Sequence, residues 1–306
     1  MLLHVVRSRP VWYAFSGISI GLSILFLVMW GLRQGIEFTG GTLMAARFDT
    51  RPSSAEVQRV FDDAKVDVGS VIIQPVADKD MQFRFKPLSE EQHQQVFSAL
   101  KKQFPSVTEL RFDAIGPVVG EELRSKSIQG LLIVLLAIMI YVAYAFRKVS
   151  APVQSWKYGL VTIFTAFHDV IIPLGVFSWL GHFSGVEIGT SFIAAILTIL
   201  GYSITDTIVV MDRIRENLQK KTGRFEDIVE LSVHQTFLRS LATSATTLLT
   251  LVAIHFFGGQ SLREFTLTLI IGIAVGTYSS IFIASPMLVS WELWMRDKKS
   301  IKSIKS

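Results

Sequence analysis

Apart from His255, which lies close to a span end, four side chains of the His, Asp, Glu, Lys or Arg types stand inside long apolar runs, where each costs ~2.5 to 3.5 kcal/mol to insert into a bilayer. They are His168 and Asp169, adjacent in one run, Asp206 near the end of the next, and Arg239 at the start of the one after. Thr198, Tyr202 and Ser203 precede Asp206 at helical intervals and so lay hydroxyls along its stripe. Thr243, Thr246, Thr247 and Thr250 follow Arg239 in the same way. A carboxylate is ionised beside a cation and takes up a proton when left alone in a dry site. An Asp206–Arg239 pair that a conformational change separates would therefore carry protons. Other readings stand beside this one. Arg239 can equally snorkel to nearby headgroups. His168 and Asp169 can be a packing pair hydrogen-bonded across a bundle rather than part of a secondary relay. The run Asp212, Arg213, Arg215, Glu216 reads as a solvated helix end, and Asp206 lies too deep to snorkel easily.

The remaining composition removes other chemistries. Half of the 306 residues are hydrophobic and 18% are charged, and the mean hydropathy is +0.45, too oily for a water-soluble protein. Cysteine is absent, which excludes thiol nucleophiles, disulfide frameworks, zinc ribbons and iron–sulfur clusters. There is no glycine-rich phosphate loop ending in Lys and Ser or Thr, and the spans carry neither paired catalytic Asp nor a Ser/His dyad at matched depth. The expectation is a protein that is not an enzyme, uses no metal or organic cofactor, and runs on an ion gradient. A lone carboxylate without a dense oxygen cage favours H⁺ over Na⁺.

The elements that must position these groups are six apolar runs of about 19 to 24 residues, long enough at ~1.5 Å per residue for a ~30 Å hydrocarbon core. They run from Val11 to Leu32, Ile128 to Phe146, Tyr158 to Gly181, Ile188 to Met211, Arg239 to Phe257, and Phe265 to Leu288. The first is too long for a signal peptide and lacks a small-x-small cleavage site, so it should stay uncleaved. Positive charge marks the inner side. With the N-terminus inside, Arg7, Arg9, Arg147, Lys148, Lys157, Arg213, Arg215, Lys220, Lys221, Arg224, Arg296, Lys298, Lys299, Lys302 and Lys305 are cytoplasmic, and the short outer loops hold only Arg263. Both termini are then cytoplasmic. The net charge of +5 reflects topology rather than a nucleic-acid surface, and the basic tail suits contact with anionic lipid. Trp12, Trp30, Trp156, Trp179, Trp291 and Trp294 all fall at span ends, the level that indole prefers. Gly17/Gly21 and Gly272/Gly276 are GxxxG pairs that permit close helix packing.

Between the first two spans lies a segment of near-balanced charge and soluble character, from Arg33 to Ser127. Its periodicity gives a strand over Leu43 to Phe48, a helix over Ser53 to Lys65 capped by Ser53 or Ser54, and strands over Val71 to Val76 and Met81 to Lys86. A second helix over Ser89 to Phe104 and a strand over Val107 to Phe112 complete the order β-α-β-β-α-β, that of the ferredoxin-like split βαβ sandwich. The domain plan is residues 1–32 for the N-terminus and first span, 33–127 for the outer domain, 128–293 for a bundle of five spans, and 294–306 for a basic tail. With no metal spacing or nucleophile motif, the outer domain is expected to bind or to couple movement, a structural cap being the plainer alternative.

The run GYSITDTIVVMDRIREN at Gly201 to Asn217 resembles the fourth-span signature of the SecD/SecF family of bacterial protein-export membrane proteins. IEFTGGT at Ile36 to Thr42, GPVVGEEL at Gly116 to Leu123, FHDVIIPLG at Phe167 to Gly175 and LRSLATSATT at Leu238 to Thr247 support it, in the family's order and across nearly the whole chain. The single outer domain of this size matches the SecF branch, since SecD has a much larger one. Glu37 stands where the family usually has Asp, and Thr205 where Asn is common. The resemblance implies a six-helix half of an RND-type transporter, in the bacterial inner membrane with its large loop periplasmic. Such a half joins SecD in a twelve-helix unit beside the SecYEG channel, with SecA, YajC and YidC as further partners and the secreted preprotein as substrate. It also implies that Asp206 and Arg239 are the acid and arginine linked to proton transport, and that Gly40, Gly41, Gly116, Pro117 and Gly120 are structural motif positions. Two other classes fit the residues less fully: an RND-like efflux or lipid transporter half, and a scaffold that transports nothing and tolerates neutral replacement of Asp206 and Arg239.

Overall fold

Backbone groups in hydrocarbon have no water to pair with, so apolar runs of this length resolve into helices. The computed structural model describes residues 4–64, 66–76, 78–145, 153–259 and 262–305. Lys65, Phe146, Arg147 and Lys148, and the side chains of Lys298, Lys299, Lys302 and Lys305, lie outside the described residues. The chain forms two compact units, Gln34–Gln129 and the remainder, Met1–Arg33 with Gly130–Ser306. The first span is helix α1, Arg9–Trp30.

The smaller unit opens with a single turn, α2 (Ile36–Thr39), followed by β1 (Gly41–Arg47). Helix α3 (Ser54–Asp63) starts at Ser53, whose hydroxyl accepts the Glu56 amide while the Glu56 carboxylate accepts the Ser53 amide, a reciprocal cap that satisfies two orphan donors. Strands β2 (Ile72–Pro75) and β3 (Asp80–Phe85) form a hairpin, α4 (Glu90–Gln103) repeats the same cap with Ser89 and Gln92, and β4 (Thr108–Ile115) closes the sheet. The strand order is β2-β3-β1-β4, every neighbouring pair antiparallel. Strands β1 and β2, joined through α3, are thus parallel with β3 between them, the split βαβ arrangement read from the sequence. Met44 and Ala46 on β1, with Phe48 just past its end, and Met81, Phe83 and Phe85 on β3 alternate along the chain and pack with Val57 and Phe61 of α3 and Val96 and Leu100 of α4 in one buried core.

The larger unit is helical. After α5 (Pro117–Ala145), whose residues up to Gln129 belong to the smaller unit, its remaining helices are α6 (Ser155–Ser184), α7 (Thr190–Lys220), α8 (Phe225–Phe257), α9 (Arg263–Ser279) and α10 (Ser285–Lys305), with a π-helical segment at Ser280–Ala284 joining the last two. Six helical stretches among the described residues are long and apolar enough to cross a membrane. The chain is a multi-pass α-helical membrane protein. Several of these helices outrun the apolar runs, some by ten residues or more. Helix α5 begins at Pro117 rather than Ile128, α7 continues past Met211 to Lys220, and α8 begins at Phe225 rather than Arg239. Apolar length marks only what lipid must cover, whereas Ile214 on α7 and Phe225, Val229 and Val233 on α8 recur at helical spacing and are buried. The sixth run is interrupted because Pro286 has no N–H to donate and its ring crowds the carbonyl four residues back, which accounts for the widened turn before it.

Candidate functional site

Glycine decides how near two of these helices come. A Cβ at Gly272 of α9 would lie 2.1 Å from Ile199 Cδ1 of α7, and one at Gly276 would lie 3.1 Å from Ser203 Cβ. The second GxxxG pair therefore lets α9 sit directly on α7, as small residues allow. The first pair does not act this way, since a Cβ at Gly17 or Gly21 would meet nothing within 4 Å. Helix α6 instead approaches α1 at Gly175, where a Cβ would stand 2.3 Å from Ser23 Cβ.

That approach brings the hydroxyls of Ser279 and Ser280, at the mouth of the π segment, onto two carboxylates. Ser280 donates to Asp206 Oδ2, and Ser240 of α8 donates to Asp206 Oδ1 at 2.6 Å. Ser279 donates to Asp169 Oδ2 at 2.7 Å, an oxygen that Ser203 also serves. Asp169 Oδ1 lies 2.8 Å from His168 Nδ1, and His168 Nε2 lies 3.1 Å from Ser16 Oγ on α1. His168 and Asp169 are fully buried. Asp206 is half-buried and faces a cavity of about 420 Å³ between α7 and α8, lined also by Thr198, Tyr202, Thr205, Arg239 and Thr243. A hydroxyl donates to a carboxylate and accepts from a carboxyl with equal ease. The Asp206 site therefore accommodates the acid with or without its proton.

The ion pair read from the sequence is not made. Asp206 is held by two serines, and Arg239 is exposed on the cavity wall with no ion pair among the described residues. Arg239 lies well inside α8 rather than at its start, and its side chain shares the cavity with Asp206. The hydroxyl stripe divides in two. Thr198, Tyr202 and Thr205 share the cavity with Asp206, whereas Ser203 turns to Asp169 because it lies a different angle round the helix. Tyr202 meets Ser244 at 3.2 Å, and Ser244 in turn accepts from Thr277 at 2.6 Å. Thr243, Thr246, Thr247 and Thr250 donate back to carbonyls of their own helix, as does Thr198, the usual way a hydroxyl is satisfied in hydrocarbon. Ser16, Ser240, Ser279 and Ser280 escaped the sequence reading. The signal for the last two was the pair Ser279-Ser280 in the middle of an otherwise apolar run.

The motif glycines serve the smaller unit. Gly40 has φ +71°, and a Cβ there would lie 2.9 Å from Pro117 Cα, while a Cβ at Gly120 would lie 2.8 Å from Gly40 N. Gly41 has φ +124°, and a Cβ there would lie 3.0 Å from the Phe85 carbonyl oxygen. Gly116 has open space around it, so close approach does not account for it.

Residues 95–294 match the family model described as protein export membrane protein SecD/SecF, C-terminal, and residues 26–50 match the SecD/SecF GG motif. The protein translocase subunit SecF of Thermobaculum terrenum is 41% identical over 95% of this chain and 94% of its own length. That of Sebaldella termitidis is 36% identical over 100% of this chain and 96% of its own. Among solved structures, SecDF from Thermus thermophilus, titled a translocon-associated membrane protein, aligns with TM-score 0.82 at 32% identity over 95% of this chain. SecDF in a super-membrane-facing form aligns with TM-score 0.65 at 32% identity over 98% of this chain. This chain spans 40% of each of those two chains.

Proposed function

The chain belongs to the SecD/SecF family of protein-export membrane proteins, in its SecF branch, and on that premise we propose that it couples proton re-entry at Asp206 to outward movement of secreted chains. The observation that carries the reading is a membrane-embedded carboxylate held by two serines, Ser240 and Ser280, on the wall of a cavity that Arg239 shares. Proton uptake at Asp206 removes a charge from a site whose donors Ser240 and Ser280 come from two other elements, so the two protonation states favour different helix placements. One charge crossing 100 mV supplies ~2.3 kcal/mol, enough to bias such a two-state equilibrium. Arg239 is the cation that would meet the ionised acid in the alternate arrangement.

The partner is SecD, which completes a twelve-helix unit. Support comes from the SecDF chains, of which this sequence matches a part. The setting is the bacterial inner membrane with cytoplasmic termini, the split βαβ unit on the periplasmic side, and SecYEG, SecA, YajC and YidC nearby. The work is mechanical rather than enzymatic and needs no cofactor beyond the proton gradient. The test is reconstitution of the SecD-paired chain in energised vesicles with a translocating preprotein. Asp206→Asn should remove the part of export that depends on the proton gradient while leaving insertion and SecD association intact. Export that still follows the gradient in this variant would refute the proposal.

A further inference from the structure

The buried acid and base of α6 lie outside the cavity of Asp206, yet they are joined to it through one dipeptide. Asp169 accepts three donors: His168 Nδ1 at 2.8 Å, Ser279 Oγ at 2.7 Å, and Ser203 Oγ. Beyond the ring, His168 Nε2 meets Ser16 Oγ at 3.1 Å, Ser16 donates to the Tyr278 hydroxyl at 3.2 Å, and Tyr278 donates to the Trp12 carbonyl at 3.1 Å.

Counting protons along this chain fixes the state of the ring. A carbonyl oxygen only accepts, so the proton of Tyr278 is spent on Trp12. The hydroxyl of Tyr278 then accepts from Ser16, which spends the proton of Ser16. Nothing is left for Ser16 to give to His168, so Nε2 must carry a hydrogen and donate. Reversing every donor would leave the Tyr278 and Trp12 oxygens 3.1 Å apart with no proton between them. One further proton lies between Nδ1 and Asp169 Oδ1, on either atom. Both placements make the pair neutral as a whole, which is the state that full burial demands. The groups facing it are Ser16 from α1, Ser203 from α7, and Tyr278 and Ser279 from α9. No Lys, Arg or second acid is paired with it among the described residues.

We infer that His168 and Asp169 together hold one proton beyond the hydrogen on Nε2, and that this neutral pair sets the protonation of Asp206 through the adjacent residues Ser279 and Ser280. His168 and Asp169 are then positioning residues for the coupling acid. Their hold on Ser279 fixes the start of the π segment, a helix irregularity of the kind that clusters at functional sites, and so fixes the donor that Ser280 offers to Asp206. The inference rests on the reading of Asp206 as the acid that takes up protons.

The test uses the full chain in lipid vesicles and two readouts. Nitrogen-15 magnetic resonance of His168, assigned by its loss in His168→Asn, should show both ring nitrogens bonded to or sharing hydrogen near neutral pH. A ring with bare Nε2 overturns the proton count. Infrared titration of the Asp206 carboxyl, assigned by its loss in Asp206→Asn, should shift its midpoint by about one pH unit in Ser279→Ala and in Asp169→Asn, the tenfold scale of coupled sites. Ser279→Ala removes one hydroxyl and keeps the experiment decisive if Asp169→Asn fails to fold. An unmoved midpoint in Ser279→Ala overturns the coupling. A wild-type Asp206 that never titrates would remove the coupling along with the proposed function, while the His168 ring would still decide the state of the pair.

Discussion

Ser279 and Ser280 are neighbours in sequence, yet Ser279 donates to Asp169 on α6, at 2.7 Å, and Ser280 donates to Asp206 on α7. Successive residues of a helix point about 100° apart, so one helix lying in the groove between two others can serve both, at one depth, from adjacent positions. The arrangement depends on how deeply α9 sits, which glycine controls.

Gly272→Ala is therefore expected to destabilise the chain. The added methyl would meet Ile199, which is fully buried and β-branched, and forced overpacking costs typically ~1 to 3 kcal/mol. The gain of ~1 kcal/mol in helix propensity from replacing glycine offsets part of it. Gly17→Ala, with nothing within 4 Å, is the matched control and should be neutral or slightly stabilising. Thermal unfolding in detergent measures both, and equal midpoints would contradict the packing argument.

A buried ion pair offers a second test. Lys157 Nζ lies 2.6 Å from Glu292 Oε2, linking the start of α6 to α10, with Lys157 4% and Glu292 8% exposed. Breaking such a pair from one side leaves a buried charge alone and costs ~3 to 5 kcal/mol. Glu292→Gln should cost in that range, whereas Lys157→Met combined with Glu292→Leu should recover most of it. A double-mutant cycle with no coupling between the two positions would show that water reaches the pair.

What sequence alone could convey follows from these contacts. The element order of the smaller unit was legible because capping residues and period-two or period-3.6 burial are local signals, as at Ser53, Ser89, Met44 and Phe83. The number of spans was legible because lipid imposes a length. The acids were legible because charge inside an apolar run is costly. Their partners were not. Asp206 binds serines on α8 and at the π segment, and which hydroxyl reaches it depends on the depth of Gly272 and Gly276 against α7, a tertiary quantity. Coulomb attraction favours Arg239 on paper, but a salt bridge needs the two side chains aimed at each other, and in this arrangement they meet only across a cavity.

The smaller unit should show an acid-sensitive cap. The Ser53 amide and then its hydroxyl, both 2.8 Å from Glu56 Oε2, hold the Glu56 carboxyl below its ordinary value. A carboxyl lowered in the folded state lends stability that is complete above its unfolded value and fades as pH falls through the folded one. Amide-exchange protection of α3, corrected for intrinsic exchange, should decline in the wild type as the pH falls below the ordinary glutamate range and change less in Glu56→Gln. Identical profiles in the two proteins would remove Glu56 from the cap.

Arg239 separates a working charge from a snorkelling one. Its side chain is exposed, lines the cavity of Asp206 and forms no ion pair among the described residues, so its loss removes no contact that holds this arrangement together. Arg239→Gln is accordingly expected to leave the unfolding midpoint within the ~0.5 kcal/mol usual for surface changes. Proton-dependent export should nevertheless fall at least about tenfold, equivalent to ~1.4 kcal/mol in the barrier, because the ionised acid then has no cation to meet. Arg239→Lys keeps the charge as a point rather than a planar fork, and should restore part of the rate if Coulomb attraction is what matters. A snorkelling arginine makes the opposite forecast, since lysine would then match the wild type and glutamine would disturb insertion. Normal export by a stably inserted Arg239→Gln protein would assign the whole of the coupling to Asp206 and its serines.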